Sequence, residues 1–156
     1  MTGMITKSSE ETIEIALKLA ADLKGGEILA LHGDLGGGKT TFTKGLAEGL
    51  KVNDTVTSPT FVLLKVYSGK IDDKKIELVH VDAYRVESID DIKSVGIEDY
   101  LDRQDIILVV EWAEKIKEIL PKNVINIYFE RIEKQGSAKA GSLDENERKI
   151  KIDFAN

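Results

Sequence analysis

Residues 33–40 form a glycine-rich stretch that ends in lysine and threonine, with the sequence Gly-Asp-Leu-Gly-Gly-Gly-Lys-Thr. The spacing matches the pattern G-x-x-x-x-G-K-[ST] of phosphate-binding loops, known as P-loops. Glycines let the backbone turn tightly, so that successive N–H groups point inward towards anionic oxygens. The Lys39 ammonium would lie against the terminal phosphates of a nucleotide, and the Thr40 hydroxyl can ligate Mg²⁺. The pattern predicts a nucleotide-binding loop, whose contact residues would be Gly33, Leu35, Gly36, Gly37, Gly38, Lys39, Thr40 and Thr41.

Two carboxylates follow candidate strands further along the chain. Glu111 comes directly after the apolar run 106–110, and Asp82 comes directly after Leu78-Val-His-Val81. If both runs are buried parallel strands, their side chains would reach the carboxyl edge of one sheet, where P-loop enzymes hold their metal. One carboxylate would hold Mg²⁺ and the other would orient or deprotonate the attacking water. The residue pattern alone does not divide these two roles.

A third candidate is the loop Thr57-Ser-Pro-Thr60. Pro59 fixes its own φ, so the segment forms a stiff turn that displays hydroxyl groups. In nucleotide switches, a loop hydroxyl of this kind senses the γ-phosphate and Mg²⁺. The alternative is an ordinary entry into the strand that follows, and the spacing alone favours that alternative.

The remaining pattern predicts the elements that position these groups. The apolar run 27–32 indicates a buried strand before the P-loop, and apolar residues at every fourth position from Phe42 to Leu50 indicate a helix after it. Other predicted elements are a short strand at 4–6, a helix from the Ser8–Glu11 capping box to Gly25-Gly26, antiparallel strands at 60–68 and 76–84, helical pieces in 88–102, a strand buried on both faces at 106–110, a helix at 113–119, and sheet-edge strands at 123–132 and 148–154. Residues 134–147 are predicted to form a mobile hairpin loop without a function of its own. The predicted fold class is α/β, a single P-loop NTPase domain with a mixed parallel and antiparallel sheet flanked by helices.

Composition narrows the class of protein. A chain of 156 residues suits one domain, and the absence of cysteine excludes a disulfide framework or a thiolate metal site. The formal net charge of −6 argues against strong direct binding of nucleic acid, which needs a basic face. The chain contains neither an apolar run of about 20 residues, as a membrane span requires, nor the apolar core of a signal peptide at its N-terminus. A cytoplasmic location without membrane association is the expectation.

Several motifs together resemble one family. The P-loop 33–41, Ser58-Pro-Thr-Phe61, His80-Val-Asp-Ala-Tyr-Arg85 and Glu111-Trp112 occur in the order and spacing of the TsaE (YjeE) family. Val95-Gly-Ile-Glu-Asp-Tyr100 extends the likeness, which runs from about residue 5 to residue 131. Members of this family are small bacterial ATPases needed to make threonylcarbamoyladenosine in tRNA.

The resemblance implies roles beyond those that the spacing indicates. It associates Thr40 and Glu111 with Mg²⁺ and links Asp82 to ATP hydrolysis, with Lys39 on the phosphates. It makes the loop at Thr60 switch-like and places Trp112 beside the nucleotide. It also places Glu10 near the adenine and Arg131 on the opposite side of that base. Tyr84 and Arg85 would position the loop or contact a partner.

The same resemblance implies ATP and Mg²⁺ as ligands and a TsaD–TsaB heterodimer as the protein partner. ATP binding would support docking on that threonylcarbamoyl transferase complex, and hydrolysis would reset it. Two alternatives stay open: a small-molecule kinase of the P-loop class, and an ATP-gated adaptor without turnover. A GTPase is disfavoured because the chain lacks an Asn/Thr-Lys-x-Asp motif, and an ABC-type ATPase because it lacks Leu-Ser-Gly-Gly.

Overall fold

The computed structural model describes residues 2–34, 36, 38–132 and 147–155. Within these ranges the strands are β1 (Thr2–Thr6), β2 (Ile28–His32), β3 (Leu64–Ile71), β4 (Lys74–Asp82), β5 (Ile106–Glu111), β6 (Ile125–Arg131) and β7 (Arg148–Asp153). The helices are α1 (Ser9–Asp22), α2 (Lys39–Gly49) and α3 (Ile89–Lys93), and 3₁₀ segments cover Ile97–Asp99 and Ala113–Ile119. In this described part of the chain, no helix is both long and apolar enough to cross a membrane.

All of these strands belong to one sheet, with the order β1-β7-β6-β2-β5-β4-β3. The central strands β6, β2, β5 and β4 run parallel, while β3, β7 and β1 each pair antiparallel with their neighbours. The predicted mixed sheet and the predicted antiparallel pairing of β3 with β4 are therefore confirmed. The prediction that 123–132 and 148–154 lie at the sheet edge is wrong, because β6 lies between β2 and β7, and β1 pairs with β7 and forms that edge itself. Apolar and polar residues alternate in these strands because one face of the sheet packs against the helices. Interior strands show this alternation as well as edge strands do.

Helices cover both faces of the sheet, and β5 separates the two cores. On one face, Ile107 and Val109 contribute to the apolar cluster that contains residues of α1 and α2. On the other face, Leu108 and Val110 contribute to the cluster that contains residues of α3 and the 3₁₀ segments. Every residue of β5 is buried, as the uninterrupted apolar run predicts.

Helices α1 and α2 approach closely along small residues, which fixes α2 against the sheet. A Cβ added to Gly45 would lie 2.7 Å from the Cβ of Ala16, and one added to Gly49 would lie 2.5 Å from the Cβ of Ala20. Because the P-loop ends at the first residue of α2, this contact also fixes where the phosphate-binding end of the helix points.

Two of the predicted boundaries that differ from the structure lie beside Thr60 and Asp82. Strand β3 begins at Leu64 rather than at residue 60, because Leu63 adopts a positive φ of 66° and its N–H donates to the Pro59 carbonyl. The second strand of this pair ends at Asp82 rather than at residue 84. The apolar run that begins at Phe61 is therefore a turn first and a strand only afterwards.

The capping box at α1 forms with one change. The Glu11 N–H donates to the Ser8 hydroxyl, as predicted, but the Glu11 carboxylate accepts from the Lys7 N–H instead of the Ser8 N–H. The predicted hairpin loop at 134–147 lies outside the described residues except for Glu147.

Candidate active site

The P-loop connects β2 to α2 at the carboxyl edge of the sheet. Its described glycines Gly33, Gly36 and Gly38 have φ values of +147°, +73° and +103°, which side chains other than glycine rarely adopt. The predicted contacts Leu35 and Gly37 lie outside the described residues. No side chain caps the N-terminus of α2, so the first backbone N–H groups of this helix are available to an anion.

Lys39 is the buried cation of this loop. Its Nζ donates to the carbonyls of Gly33 at 2.6 Å and Asp34 at 2.7 Å, and it lies 4.4 Å from the centre of the Trp112 ring. Burial lowers the pKa of Lys39 below 10.5, although the nearby Glu111 carboxylate acts in the opposite direction. The charge is therefore held in a partly desolvated place, where its attraction to phosphate oxygens is stronger than in water.

The two predicted carboxylates lie side by side. Asp82 at the end of β4 is in register with Glu111 at the end of β5, and both side chains are buried. The Thr40 hydroxyl donates to Glu111 Oε1 at 2.9 Å, which joins the P-loop to this pair. The arrangement brings one oxygen-rich edge of the sheet to the base of the phosphate loop.

The hydroxyl loop contacts Asp82 directly. Ser58 Oγ and Thr60 Oγ1 donate to Asp82 Oδ2 at 2.7 and 3.2 Å, and the Tyr84 N–H donates to Asp82 Oδ1 at 2.9 Å. The loop is therefore tied to the carboxylate, which goes beyond an ordinary entry into β3. Phe61, the next residue, is 84% exposed.

These groups surround one cavity of about 430 Å³. Nine of the predicted site residues line it: Gly36, Gly38, Lys39, Thr40, Thr41, Thr60, Asp82, Glu111 and Trp112. Trp112 has a positive φ of 57°, an uncommon conformation for a non-glycine residue, and its ring contacts that of Tyr84 with 5.0 Å between centres. The volume is in the range of small-ligand sites.

The peripheral predictions are less close to the cavity. Glu10 is exposed on the first turn of α1, where Ser8, Ser9 and Thr12 line the cavity instead. The Arg131 guanidinium donates to the Gly36 carbonyl at 3.2 Å, so it contacts the P-loop from β6. Their proposed positions beside an adenine stay predictions.

Arg148 and His80 also lie near the site, and no role was predicted for either of them, although His80 opens the motif 80–85. Arg148 lines the cavity and donates to the Gly36 carbonyl at 3.1 Å, directly across from Arg131 in the β6–β7 pair. His80 is fully buried, and its Nε2 lies 3.3 Å from Glu111 Oε2. Position on a strand two residues before Asp82 could have drawn attention to His80, whereas Arg148 could be found only from the strand pairing.

The oxygen groups at Thr40 and Glu111 fit a hard cation such as Mg²⁺. No group of three or more His, Cys, Asp or Glu side chains arranged for a metal occurs among the described residues. Mg²⁺ in nucleotide sites needs only one or two protein oxygens, since phosphate oxygens and water complete its shell. The adjacent hydroxyl and carboxylate supply that number.

Comparisons with known proteins agree with this geometry. The family model of "Threonylcarbamoyl adenosine biosynthesis protein TsaE" matches residues 6–140. The chain is 45% identical over 126 residues to the tRNA threonylcarbamoyladenosine biosynthesis protein TsaE of Bacillus subtilis, covering 81% of this chain and 75% of that protein. It is 38% identical over 151 residues to the protein of the same name from Aquifex aeolicus, covering 96% and 93% of the two chains.

A solved structure extends the likeness to the fold. The crystal structure of Bacillus subtilis YdiB matches with a TM-score of 0.76 and 35% sequence identity, covering 99% of this chain and 86% of that one. The mixed sheet, the flanking helices and the P-loop are those of a P-loop NTPase, as predicted. The chain therefore belongs to the TsaE family of threonylcarbamoyl adenosine biosynthesis proteins.

Proposed function

We propose that the protein binds ATP with Mg²⁺ in the P-loop cavity and hydrolyses it to support threonylcarbamoyladenosine formation in tRNA. The observation that carries the proposal is the convergence of Lys39, the Thr40–Glu111 pair and the Asp82–loop contacts on one cavity. These are the groups that phosphoryl transfer to water needs: fixed positive charge, a metal site, and a carboxylate that can position water.

Nucleotide binding would rest on the P-loop and α2. The uncapped N–H groups at the start of α2 and the ammonium of Lys39 provide donors on one side of the cavity. Lys39 would exchange its two carbonyl acceptors for phosphate oxygens, which are charged and therefore bind more strongly.

Thr40 and Glu111 would hold Mg²⁺. When bound, the ion supplies positive charge that neutralises the phosphate oxygens and stabilises the charge of the transition state. The Thr40 hydroxyl contributes one oxygen, and Glu111 Oε1, which now accepts from that hydroxyl, contributes or orients another.

Asp82 would orient the attacking water and take its proton. Its Oδ2 is occupied by the hydroxyls of Ser58 and Thr60, while Oδ1 is held by the Tyr84 N–H. The loop hydroxyls compete with water for Oδ2 in this position of the loop, so the free protein should hydrolyse ATP slowly. A partner that moves the loop would raise the rate.

That partner is proposed to be the TsaD–TsaB heterodimer in the cytoplasm. The acidic chain, with a net charge of −6, would leave tRNA contacts to the partner. ATP binding would favour docking, and hydrolysis would release the complex for another turnover.

Phosphate release from Mg-ATP, measured with and without purified TsaD–TsaB, tests the proposal. We expect stimulation by the complex, and Lys39→Ala should abolish both ATP binding and release. Phosphate transferred to an acceptor, rather than released, would support the kinase alternative. ATP binding without turnover in the presence of the complex would support an adaptor.

A further inference from the structure

His80 is a polar side chain in an apolar environment. It lies on β4 with an exposed fraction of 0%, opposite Val109 of β5 on the sheet face that α2 covers. Its Nδ1 has no hydrogen-bond partner, alone among the buried side-chain nitrogens and oxygens in the described ranges. An aliphatic residue would fill such a place without the unsatisfied Nδ1, so a role in packing alone does not account for histidine.

The other ring nitrogen points to the carboxylate of Glu111. His80 Nε2 lies 3.3 Å from Glu111 Oε2, and both side chains are buried, with exposed fractions of 0% and 2%. Because a carboxylate oxygen accepts, the hydrogen of this long bond lies on Nε2. The His80–Glu111 contact links β4 to β5, and His80 lies two residues before Asp82, which is the register partner of Glu111.

Glu111 thus has one side-chain donor at each oxygen. Thr40 donates to Oε1 and His80 donates to Oε2. In the proposed function the Thr40 oxygen faces Mg²⁺ with a lone pair, so Oε1 beside it is the oxygen of Glu111 next to the metal. His80 is the donor to the other oxygen, and its buried ring does not line the cavity.

We propose that His80 is a positioning residue that holds Oε2 of Glu111, so that Oε1 faces the metal site. The proposal rests on the proposed Mg-ATP function and adds a residue to it. Groups that orient a metal ligand typically change metal affinity or activity by about 10- to 100-fold when they are removed.

Two amide substitutions separate the role of Nε2 from the presence of a polar side chain. In His80→Gln the amide nitrogen can occupy the place of Nε2, whereas in His80→Asn the shorter side chain reaches only the place of Nδ1. His80→Leu removes both nitrogens at similar volume. Val109→Ala is a matched control, because it loosens the packing beside His80 on the strand that carries Glu111.

The measurement is the dissociation constant of ADP by calorimetry, with Mg²⁺ and with EDTA, for the full chain. The ratio of the dissociation constant in EDTA to that in Mg²⁺ reports the metal site without turnover. We expect His80→Leu and His80→Asn to reduce the ratio by about 10-fold, with the EDTA value unchanged. His80→Gln and Val109→Ala should keep the ratio near that of the wild type, and thermal unfolding checks that each variant is folded.

A double substitution tests whether His80 acts through Glu111. In a Glu111→Ala background, His80→Leu should cause no further change in the ratio, since the group that it orients is gone.

The outcomes distinguish the two proposals. An unchanged ratio in folded His80→Asn and His80→Leu would overturn the positioning role and leave the metal site standing. An equal loss in His80→Gln and Val109→Ala would also overturn it, because the effect would then follow packing. A wild-type ratio near one would refute the proposed Mg²⁺ site, and the positioning role with it.

Discussion

Replacing Asp82 by asparagine is expected to stop ATP turnover while leaving the fold and nucleotide binding intact. Asp82 is 4% exposed and accepts three hydrogen bonds, from Ser58, Thr60 and the Tyr84 N–H. An asparagine can keep an oxygen towards the Tyr84 N–H and turn its amide towards the two hydroxyls, which can also accept. It cannot take a proton from water, so a change from Asp to Asn removes the proposed chemistry and little else.

The expected magnitudes follow from these contacts. Loss of a general base costs about 10²- to 10⁴-fold in rate, so the turnover of Asp82→Asn should fall at least about 100-fold. The hydrogen bonds of a neutral amide replace those of a charged carboxylate in this variant. We expect the free energy of unfolding to fall by about 1 kcal/mol or less, because Ser58 is exposed and can bond to water. Asp82→Ala would in addition leave the Tyr84 N–H without its acceptor, which costs a further ~1–3 kcal/mol.

Three measurements on the same preparations check this prediction. Phosphate release in the presence of TsaD–TsaB gives turnover, titration with ADP and Mg²⁺ gives affinity, and urea denaturation gives the free energy of unfolding. Removing a negative charge near the phosphates should leave the ADP affinity equal or slightly higher. Wild-type turnover in Asp82→Asn would refute the role of Asp82 in hydrolysis, and loss of ADP binding would make that role structural or metal-holding.

Three further outcomes are expected. Burial lowers the pKa of Lys39 below 10.5, so between its folded-state pKa and 10.5 the folded protein binds fewer protons than the unfolded chain. The free energy of unfolding should therefore rise with pH across that window. Urea denaturation at a series of pH values measures the rise, which Lys39→Met should lack. Gly45→Ala should lower the free energy of unfolding by up to about 2 kcal/mol, because overpacking against Ala16 costs about 1–3 kcal/mol and the gain in helix propensity is about 1 kcal/mol. Trp112 is the single tryptophan of the chain and contacts Lys39, so ATP binding should change the intrinsic fluorescence. A titration at constant protein concentration measures this change. An unchanged spectrum at saturation would contradict the contact.

The parts of the site that follow from local pattern could be predicted from the sequence. The P-loop is contiguous in the chain, and its strand and helix are recognisable from apolar spacing. The meeting of Asp82 and Glu111 follows from one geometric rule, that the carboxyl ends of parallel strands share an edge of the sheet. The observed register, with these two residues directly paired, agrees with that expectation.

The parts that depend on strand order could not be predicted in the same way. The interior position of β7 depends on β1, whose five residues carry too little pattern to reveal a partner, and that of β6 depends on its pairing with β2 and β7. Arg148 reaches the P-loop only through the β6–β7 pairing, and His80 reaches Glu111 only through the β4–β5 register. Local periodicity reports which face of an element is buried, but it does not report which element covers that face.

The polar groups of the site already satisfy one another, and this explains why a partner would affect turnover more than affinity. Lys39 is bonded to loop carbonyls, Glu111 Oε1 to Thr40, and Asp82 Oδ2 to the hydroxyls of Ser58 and Thr60. Mg-ATP binds the groups of the first two sets directly, through its phosphates and its metal. The hydroxyls of Ser58 and Thr60 leave Asp82 only when their loop moves. A partner that contacts the exposed Phe61 next to Thr60 would move this segment and free Asp82 for water. Binding of the complex should therefore raise kcat for ATP hydrolysis by a larger factor than it lowers the dissociation constant of ADP.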